Sequence, residues 1–287
     1  MASPLKDLLA ADELLVAPGV YDMISARIAD SMGFGCLYMT GYGVVSSCLG
    51  LPDAGLASYT DMLNRVETLA GGTKTPMICD GDTGYGGLLN VAHTVRGYEK
   101  AGAAGIQLED QEFPKKCGHT KGRRVIPLDD MVQKIRVAAD TRDSSDFLIV
   151  ARTDARTGHG LDEALRRADA FARAGADILF VESPESEEEM RKICASFDLP
   201  TLANMVEGGR TPVPSKAVLE EIGYSIAIFP ATGFLAAGAV LKAAYSTLRK
   251  EGSTDKIDVP LENFEAFSRM IGFEQVWDFD KKWGADY

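Results

Sequence analysis

Eight short apolar runs, each closed by turn residues, constrain this sequence more than any other feature. They are Leu14–Ala17, Cys36–Met39, Met77–Cys79, Gly105–Leu108, Phe147–Ala151, Ile178–Val181, Thr201–Ala203 and Ile226–Phe229. Continuous, partly β-branched runs of this length suit parallel strands covered on both faces. Between most of them the apolar spacing changes to every third or fourth residue, over Leu88–Ala101, Leu128–Ala139, Leu161–Ala174 and Pro184–Ser196. That alternation predicts βαβ units. Eight strands in 287 residues predict the α/β class and a (β/α)8 TIM barrel.

Two segments read as copies of one unit. Glu99–Asp110 is EKAGAAGIQLED and Ala172–Ser183 is ARAGADILFVES. Each runs from a helix end through Ala-Gly-Ala into an apolar strand and then a Glu. The glycine supplies the positive φ that ends a helix, and such repetition fits a barrel better than a two-domain enzyme. After the eighth strand and its helix, Leu235–Arg249, the tail carries Trp277, Trp283, Phe264, Phe267, Phe273 and Phe279. We read 1–287 as one barrel domain with 250–287 as a helical appendage, its aromatic residues packing on the barrel or on a neighbouring subunit.

A net charge of −12, with no Lys/Arg tract of five, argues against nucleic acid as a partner. It does not exclude an anionic substrate, because one Arg and one divalent cation reverse the sign inside a pocket. The cysteines Cys36, Cys48, Cys79, Cys117 and Cys194 are odd in number and lack C-x-x-C spacing, which fits reduced thiols in a cytoplasmic protein. No apolar stretch has membrane length, and Met1–Asp12 has no run of signal-peptide type.

Polar residues collect where the strands end, and in a closed barrel those ends converge on one mouth. Asp80-Gly81-Asp82 places two carboxylates where they can share a hard cation directly or through its waters, and Glu109 and Glu182 can complete an acidic ring. The alternative is a solvated loop. Arg152 closes an apolar run and so needs an anion. A substrate carboxylate held in bidentate fashion would serve, as would an internal ion pair with Asp154 or Glu182. Thr40-Gly41-Tyr42-Gly43 reads as a turn able to form an anion nest. Lys115-Lys116-Cys117-Gly118-His119 lies in a long loop, where flanking cations favour a thiolate or fast proton exchange at Cys117. His93 and His159 read as structural, one in a helix and one in a turn.

Asp80-Gly81-Asp82-Thr83-Gly84-Tyr85-Gly86 and the Cys117 loop, followed by Ala151-Arg152-Thr153-Asp154 and Ala203-Asn204-Met205, resemble the isocitrate lyase / phosphoenolpyruvate mutase superfamily over nearly the whole chain. The resemblance implies a Mg²⁺ or Mn²⁺ ion on Asp80, with Asp82 and Glu109 acting mostly through water. It implies substrate binding by Thr40, Gly41, Tyr42, Gly43, Asp53, Gly118, His119, Arg152, Glu182, Asn204 and Thr211. The catalytic set is Cys117, Tyr42, His119, Arg152 and Lys115, with the Cys117 loop as a gate. Members swap their eighth helix and assemble as homotetramers, dimers of dimers.

The cysteine marks the C–C lyases of this superfamily, and the phosphonate-forming mutases lack it. The segment from Asn204 to Pro212 looks more like the 2,3-dimethylmalate lyase type than the methylisocitrate lyase type. Oxaloacetate-hydrolysing relatives carry a distinctive serine, and near its place this chain has Pro230.

The expected reaction is therefore retro-aldol cleavage of a substituted malate to pyruvate and a carboxylic acid. Tyr42 is the expected base and Cys117 the carbon acid. Arg152, His119 and Gly118 would stabilise charge, while Glu182 and Asn204 hold the departing half. Alternatives are methylisocitrate cleavage to pyruvate and succinate, oxaloacetate hydrolysis or decarboxylation, and a non-catalytic metabolite-binding barrel. A phosphoryl-sugar barrel has only Pro230-Ala231-Thr232-Gly233 as a candidate phosphate loop.

Overall fold

The computed structural model describes residues 5–11, 13–118 and 122–284. Its strands are β1 (Leu15–Val20), β2 (Leu37–Met39), β3 (Met77–Asp80), β4 (Gly105–Glu109), β5 (Leu148–Thr153), β6 (Ile178–Val181), β7 (Leu202–Asn204) and β8 (Ile226–Phe229). They pair in parallel in the order β6-β5-β4-β3-β2-β1-β8-β7. A parallel bridge from Leu179 to Thr201 joins the two ends, with the Leu179 N–H donating to the Pro200 carbonyl at 2.9 Å. The eight runs thus form the expected (β/α)8 barrel. The β1 strand runs past the expected end at Ala17. Pro18 and Gly19, which read as turn residues, stay in the ladder in register with Phe229 and Tyr38.

The two repeated segments close in the same way. Gly102 and Gly175 take φ values of 96° and 106°. The next amide in each case, Ala103 and Ala176, donates 3.1 Å back to the carbonyls of Tyr98 and Phe171. Each orphan carbonyl at the helix end is thereby satisfied while the chain turns into its strand.

Strand alternation builds two cores. Leu37, Met39, Met77, Cys79, Ile106, Leu108, Ile149 and Leu179 face outward onto helices that contribute Val66, Val95, Ile135 and Phe171. The opposite parity, with Tyr38, Ile78, Val150, Phe180, Leu202 and Ile228, fills the barrel interior. Successive side chains on a strand point to opposite faces. Two residues beyond Tyr38, Ile78, Val150, Phe180 and Leu202 therefore come residues aimed at the mouth: Thr40, Asp80, Arg152, Glu182 and Asn204.

The chain divides into two compact units, Met1–Gly233 and Phe234–Tyr287. The barrel and its strand ends belong to the first. The second holds most of the Thr232–Glu251 helix and the helices Phe264–Met270 and Phe273–Trp283. Within it the Phe273 and Trp277 rings lie 6.1 Å apart, and Arg269 sits 5.5 Å over Trp277. Phe264, Phe279 and Trp283 are exposed. Among the described residues no helix is long and apolar enough to cross a membrane.

Candidate active site

The β3 and β4 ends bring Asp80, Asp82 and Glu109 into one buried cluster. The Asp82 N–H donates to Asp80 Oδ1 at 3.0 Å. Gly41 lies directly against the other oxygen, and a methyl there would sit 2.6 Å from Asp80 Oδ2. Lys115 reaches in from the loop after β4 and pairs with Asp53 and, at 2.6 Å, with Asp82. Asp53 is thus engaged by a lysine, and the two loops that carry them are tied a second time by the Cys117 N–H to the Asp53 carbonyl at 3.2 Å.

Burial dominates the electrostatics. It pushes the Asp82 carboxyl up to about 7, aided by Asp80 and Asp53, although Lys115 opposes the shift. Burial likewise lifts Glu109 well above the usual carboxylate range against the pull of Arg152. Burial would lower Lys115, but Asp82 and Asp53 outweigh it and hold the ammonium well above its ordinary value.

A second cluster surrounds Arg152. Its Nε and Nη2 donate to Asp154 at 2.9 Å each, and Nη1 faces Glu109 Oε2 at 3.4 Å. The bidentate partner expected of a substrate is therefore Asp154, the internal-pair alternative. The cause is geometric, because Asp154 is two residues along the same strand end and shares its face. Glu182 accepts from Asn204 Nδ2 at 3.0 Å and from Ser183 Oγ at 2.9 Å, and lies 3.5 Å from Arg152 Nη2. Gly118 packs on this group. A methyl there would sit 2.4 Å from Arg152 Nη2 and 2.9 Å from Glu182 Cδ. Ser183 Oγ also lies 3.2 Å from the Gly118 carbonyl, its single proton shared between that oxygen and Glu182, so the Cys117 loop lies over Arg152 and Glu182.

Sequence reasoning missed the supports behind Arg152. Arg123 pairs with Asp154 at Oδ1, the oxygen that Arg152 Nη2 also contacts, and donates to Thr157 Oγ1 at 2.6 Å. Burial alone would raise the Asp154 carboxyl, but Arg152 and Arg123 together hold it below its ordinary value. Asp110 anchors the strand end, accepting from the Asp154 N–H and Thr153 Oγ1 at 2.8 Å and from Arg167 at 3.0 Å. Burial, reinforced by Asp154, pushes Asp110 up to about 6. Nothing local marks Arg123 in the sequence, whereas Asp110 stands beside Glu109 among the polar residues that end the fourth run.

The expected nest at Thr40–Gly43 is a helix start instead. Thr40 caps the Gly41–Leu49 helix, its Oγ1 accepting from the Gly43 N–H at 3.4 Å. A Thr in the β region favours a cap over a nest, so free N–H groups come from a first helical turn. Tyr42 on that turn is half-exposed. His93 lies in the Leu88–Lys100 helix against Tyr59, with ring centroids 4.7 Å apart. His159 ends a short helix, Ala155–His159, where a turn was expected. Thr211 is buried, and its Oγ1 has no hydrogen-bond partner among the described residues. Cys117 is half-buried. His119 lies outside the described residues.

A hard cation fits this donor set. Glu109 Oε1 is buried with no hydrogen-bond partner among the described residues, and neighbouring carboxyls are lifted by burial. Among the described residues no three carboxylate, imidazole or thiol groups converge to cage an ion by themselves.

Comparison with known proteins agrees with this geometry. The phosphoenolpyruvate phosphomutase family model matches residues 5–249. The chain is 45% identical over 284 residues to 2,3-dimethylmalate lyase of Eubacterium barkeri, covering 99% of this chain and 98% of that protein. The structure of oxaloacetate acetylhydrolase with 3,3-difluorooxalacetate superposes with a TM-score of 0.93 at 36% identity, over 99% and 97% of the two chains. Phosphonopyruvate hydrolase in complex with oxalate and Mg²⁺ superposes with a TM-score of 0.88 at 25% identity, over 98% of each. This chain belongs to the phosphoenolpyruvate phosphomutase family, within the PEP mutase/isocitrate lyase superfamily.

Proposed function

We propose that this enzyme is a carbon–carbon lyase that cleaves a 2,3-dimethylmalate-like 2-hydroxy dicarboxylate to pyruvate and a carboxylic acid. The observation that carries this reading is the Cys117–Gly118 segment lying over Arg152 and Glu182, beside the Asp80–Asp82–Glu109 cluster. It supports a reading in which Cys117 would act as the carbon acid, Arg152 as the cation and the carboxylate cluster as the metal-binding group of one site.

Asp80 would hold a Mg²⁺ or Mn²⁺ ion, with Asp82 and Glu109 acting through its waters. When bound, the ion supplies an electrophile for the substrate's 2-hydroxyl and adjacent carboxylate. Lys115 balances Asp53 and Asp82 and keeps the loop down. Tyr42 takes the hydroxyl proton. The C2–C3 bond breaks, C2 becomes the ketone of pyruvate, and the electron pair leaves with C3 as the enediolate of a carboxylic acid. Arg152, with Gly118 and His119, stabilises that charge. Cys117 returns one proton to C3, so one proton is removed and one restored. Glu182, Asn204 and the buried Thr211 hydroxyl orient the departing half, with the first turn of the Gly41–Leu49 helix receiving the other carboxylate. The enzyme works in the cytosol as a homotetramer, a reading supported by the exposed aromatic residues of the second unit. Light scattering at a mass of one subunit would refute the assembly.

Oxaloacetate hydrolysis is the second reading, favoured by the close superposition on oxaloacetate acetylhydrolase. Pro230, after β8, offers no hydroxyl for that chemistry. The test is product formation from 2,3-dimethylmalate, 2-methylisocitrate, isocitrate, citramalate and oxaloacetate, with Mg²⁺ and with EDTA. Metal-dependent pyruvate from a substituted malate supports the lyase. Oxalate and acetate from oxaloacetate, with no product from any malate, would overturn it.

A further inference from the structure

The barrel interior below the mouth carries a polar pair that the mechanism above does not use. Tyr38 in β2 and Gln107 in β4 are buried among Ile78, Val150, Ile178 and Phe180. An amide and a phenol in such surroundings are costly unless their hydrogen-bonding groups are paired. Tyr38 OH donates to Gln107 Oε1 at 2.8 Å. Gln107 Nε2 donates to Asp80 Oδ1 at 3.4 Å, and the Asp82 N–H donates to the same oxygen at 3.0 Å. A third contact, Tyr98 OH to the Asp80 carbonyl at 3.1 Å, pins the backbone beneath it.

The direction of these bonds matters. A side-chain amide can present either end to a neighbour. Turned the other way, Gln107 would set its carbonyl against the Asp80 carboxylate. Burial, with Asp80 nearby, keeps the Tyr38 hydroxyl protonated. Tyr38 is therefore a donor, and it selects the amide orientation that turns N–H toward Asp80. Both donors reach Oδ1. Among the described residues none reaches Oδ2, which lies against the bare Cα of Gly41.

We propose that Tyr38 and Gln107 are positioning residues for Asp80, holding Oδ1 as a hydrogen-bond acceptor so that Oδ2 alone is presented to a divalent cation. This rests on the metal reading of the Asp80 cluster. The relay acts from inside the barrel, where no substrate reaches, so it sets metal affinity and not substrate choice.

The experiment is titration of the full-length protein with Mn²⁺ alone, followed by calorimetry and by the loss of the free-ion resonance signal. Wild type, Asp80→Asn, Tyr38→Phe, Gln107→Leu and the Tyr38→Phe/Gln107→Leu double variant are compared. Removing an outer support of a metal ligand weakens affinity about 10–100-fold, and that loss is expected for Gln107→Leu. Tyr38→Phe should lose less. The double variant should bind no more weakly than Gln107→Leu alone, because the hydroxyl acts only through the amide. Mn²⁺ affinity unchanged in both single variants, or additive losses in the double, overturns the relay while Asp80-dependent binding leaves the metal reading standing. Wild type that fails to bind, or Asp80→Asn that binds normally, overturns both. Should Gln107→Leu fail to fold, Tyr38→Phe decides, since it deletes one hydroxyl and leaves the packing.

Discussion

Replacing Gly41 by Ala separates the demands of fold from those of chemistry. Gly41 is the first residue of a helix, where Ala is intrinsically favoured by about 1 kcal/mol. Its added methyl would meet Asp80 Oδ2 at 2.6 Å. Side-chain Cβ atoms essentially never approach closer than 3.0 Å, and nine in ten contacts lie beyond 3.4 Å, so the carboxylate must retreat by about 0.4–0.8 Å. It cannot rotate freely, because Oδ1 is held by Asp82 and Gln107. Overpacking of this kind costs about 1–3 kcal/mol, partly offset by the helix preference, so the urea midpoint should move little. A displacement near 1 Å at a reacting centre costs about 100-fold. We expect Gly41→Ala to lower kcat/KM for pyruvate release by about 10–100-fold and to weaken the apparent Mg²⁺ constant, with circular dichroism unchanged. A folded variant within threefold of wild type on both counts would refute the close-contact argument.

Three further outcomes are expected. The Asp82 carboxyl lies near 7 in the fold against 3.8 ordinarily. Its contribution to metal-free stability is therefore fully present below pH 4 and is lost as pH rises through about 7. A cation relieves that loss, so the melting-temperature gap between Mg²⁺ and EDTA should widen from pH 5 to 8, and a flat gap contradicts the assignment. Cys117→Ala should cut turnover about 10²–10⁴-fold with the melting temperature preserved, whereas a near-normal rate removes Cys117 as the carbon acid. Asp154→Asn breaks a buried pair with Arg152 and Arg123 and should cost about 3 kcal/mol in urea unfolding. A cost under about 1 kcal/mol would mean that Glu109 and Glu182 suffice for Arg152.

The barrel was legible because its signals are periodic. Helical patterns separate most of the apolar runs, and Ala-Gly-Ala recurs where Gly102 and Gly175 need left-handed backbone. The mouth was legible because polar residues end those runs. What stayed hidden depends on partners distant in sequence. Arg123 is one of two adjacent arginines in a loop, and only folding brings it to Asp154, 31 residues on. Lys115 reads as a cation flanking Cys117, and only folding surrounds it with Asp53 and Asp82. Thr40–Gly43 misled because glycines suggest a turn, while the Thr40 hydroxyl and the buried Val44 and Val45 commit the segment to a helix.

The way Asp154 occupies Arg152 has a consequence for stereochemistry. With Nε and Nη2 engaged by Asp154, a carboxylate binding at Arg152 as proposed would have only the Nη1 edge of the guanidinium, and would share it with Glu109, 3.4 Å away. One point of contact is a pivot, not a clamp, so a ligand can swing about it. Handedness would then be read by the neighbouring side chains, Glu182 beside the guanidinium and Asn204 bonded to Glu182 among them. Enzymes with the same pivot can choose different enantiomers by changing a neighbour and leaving the pivot alone.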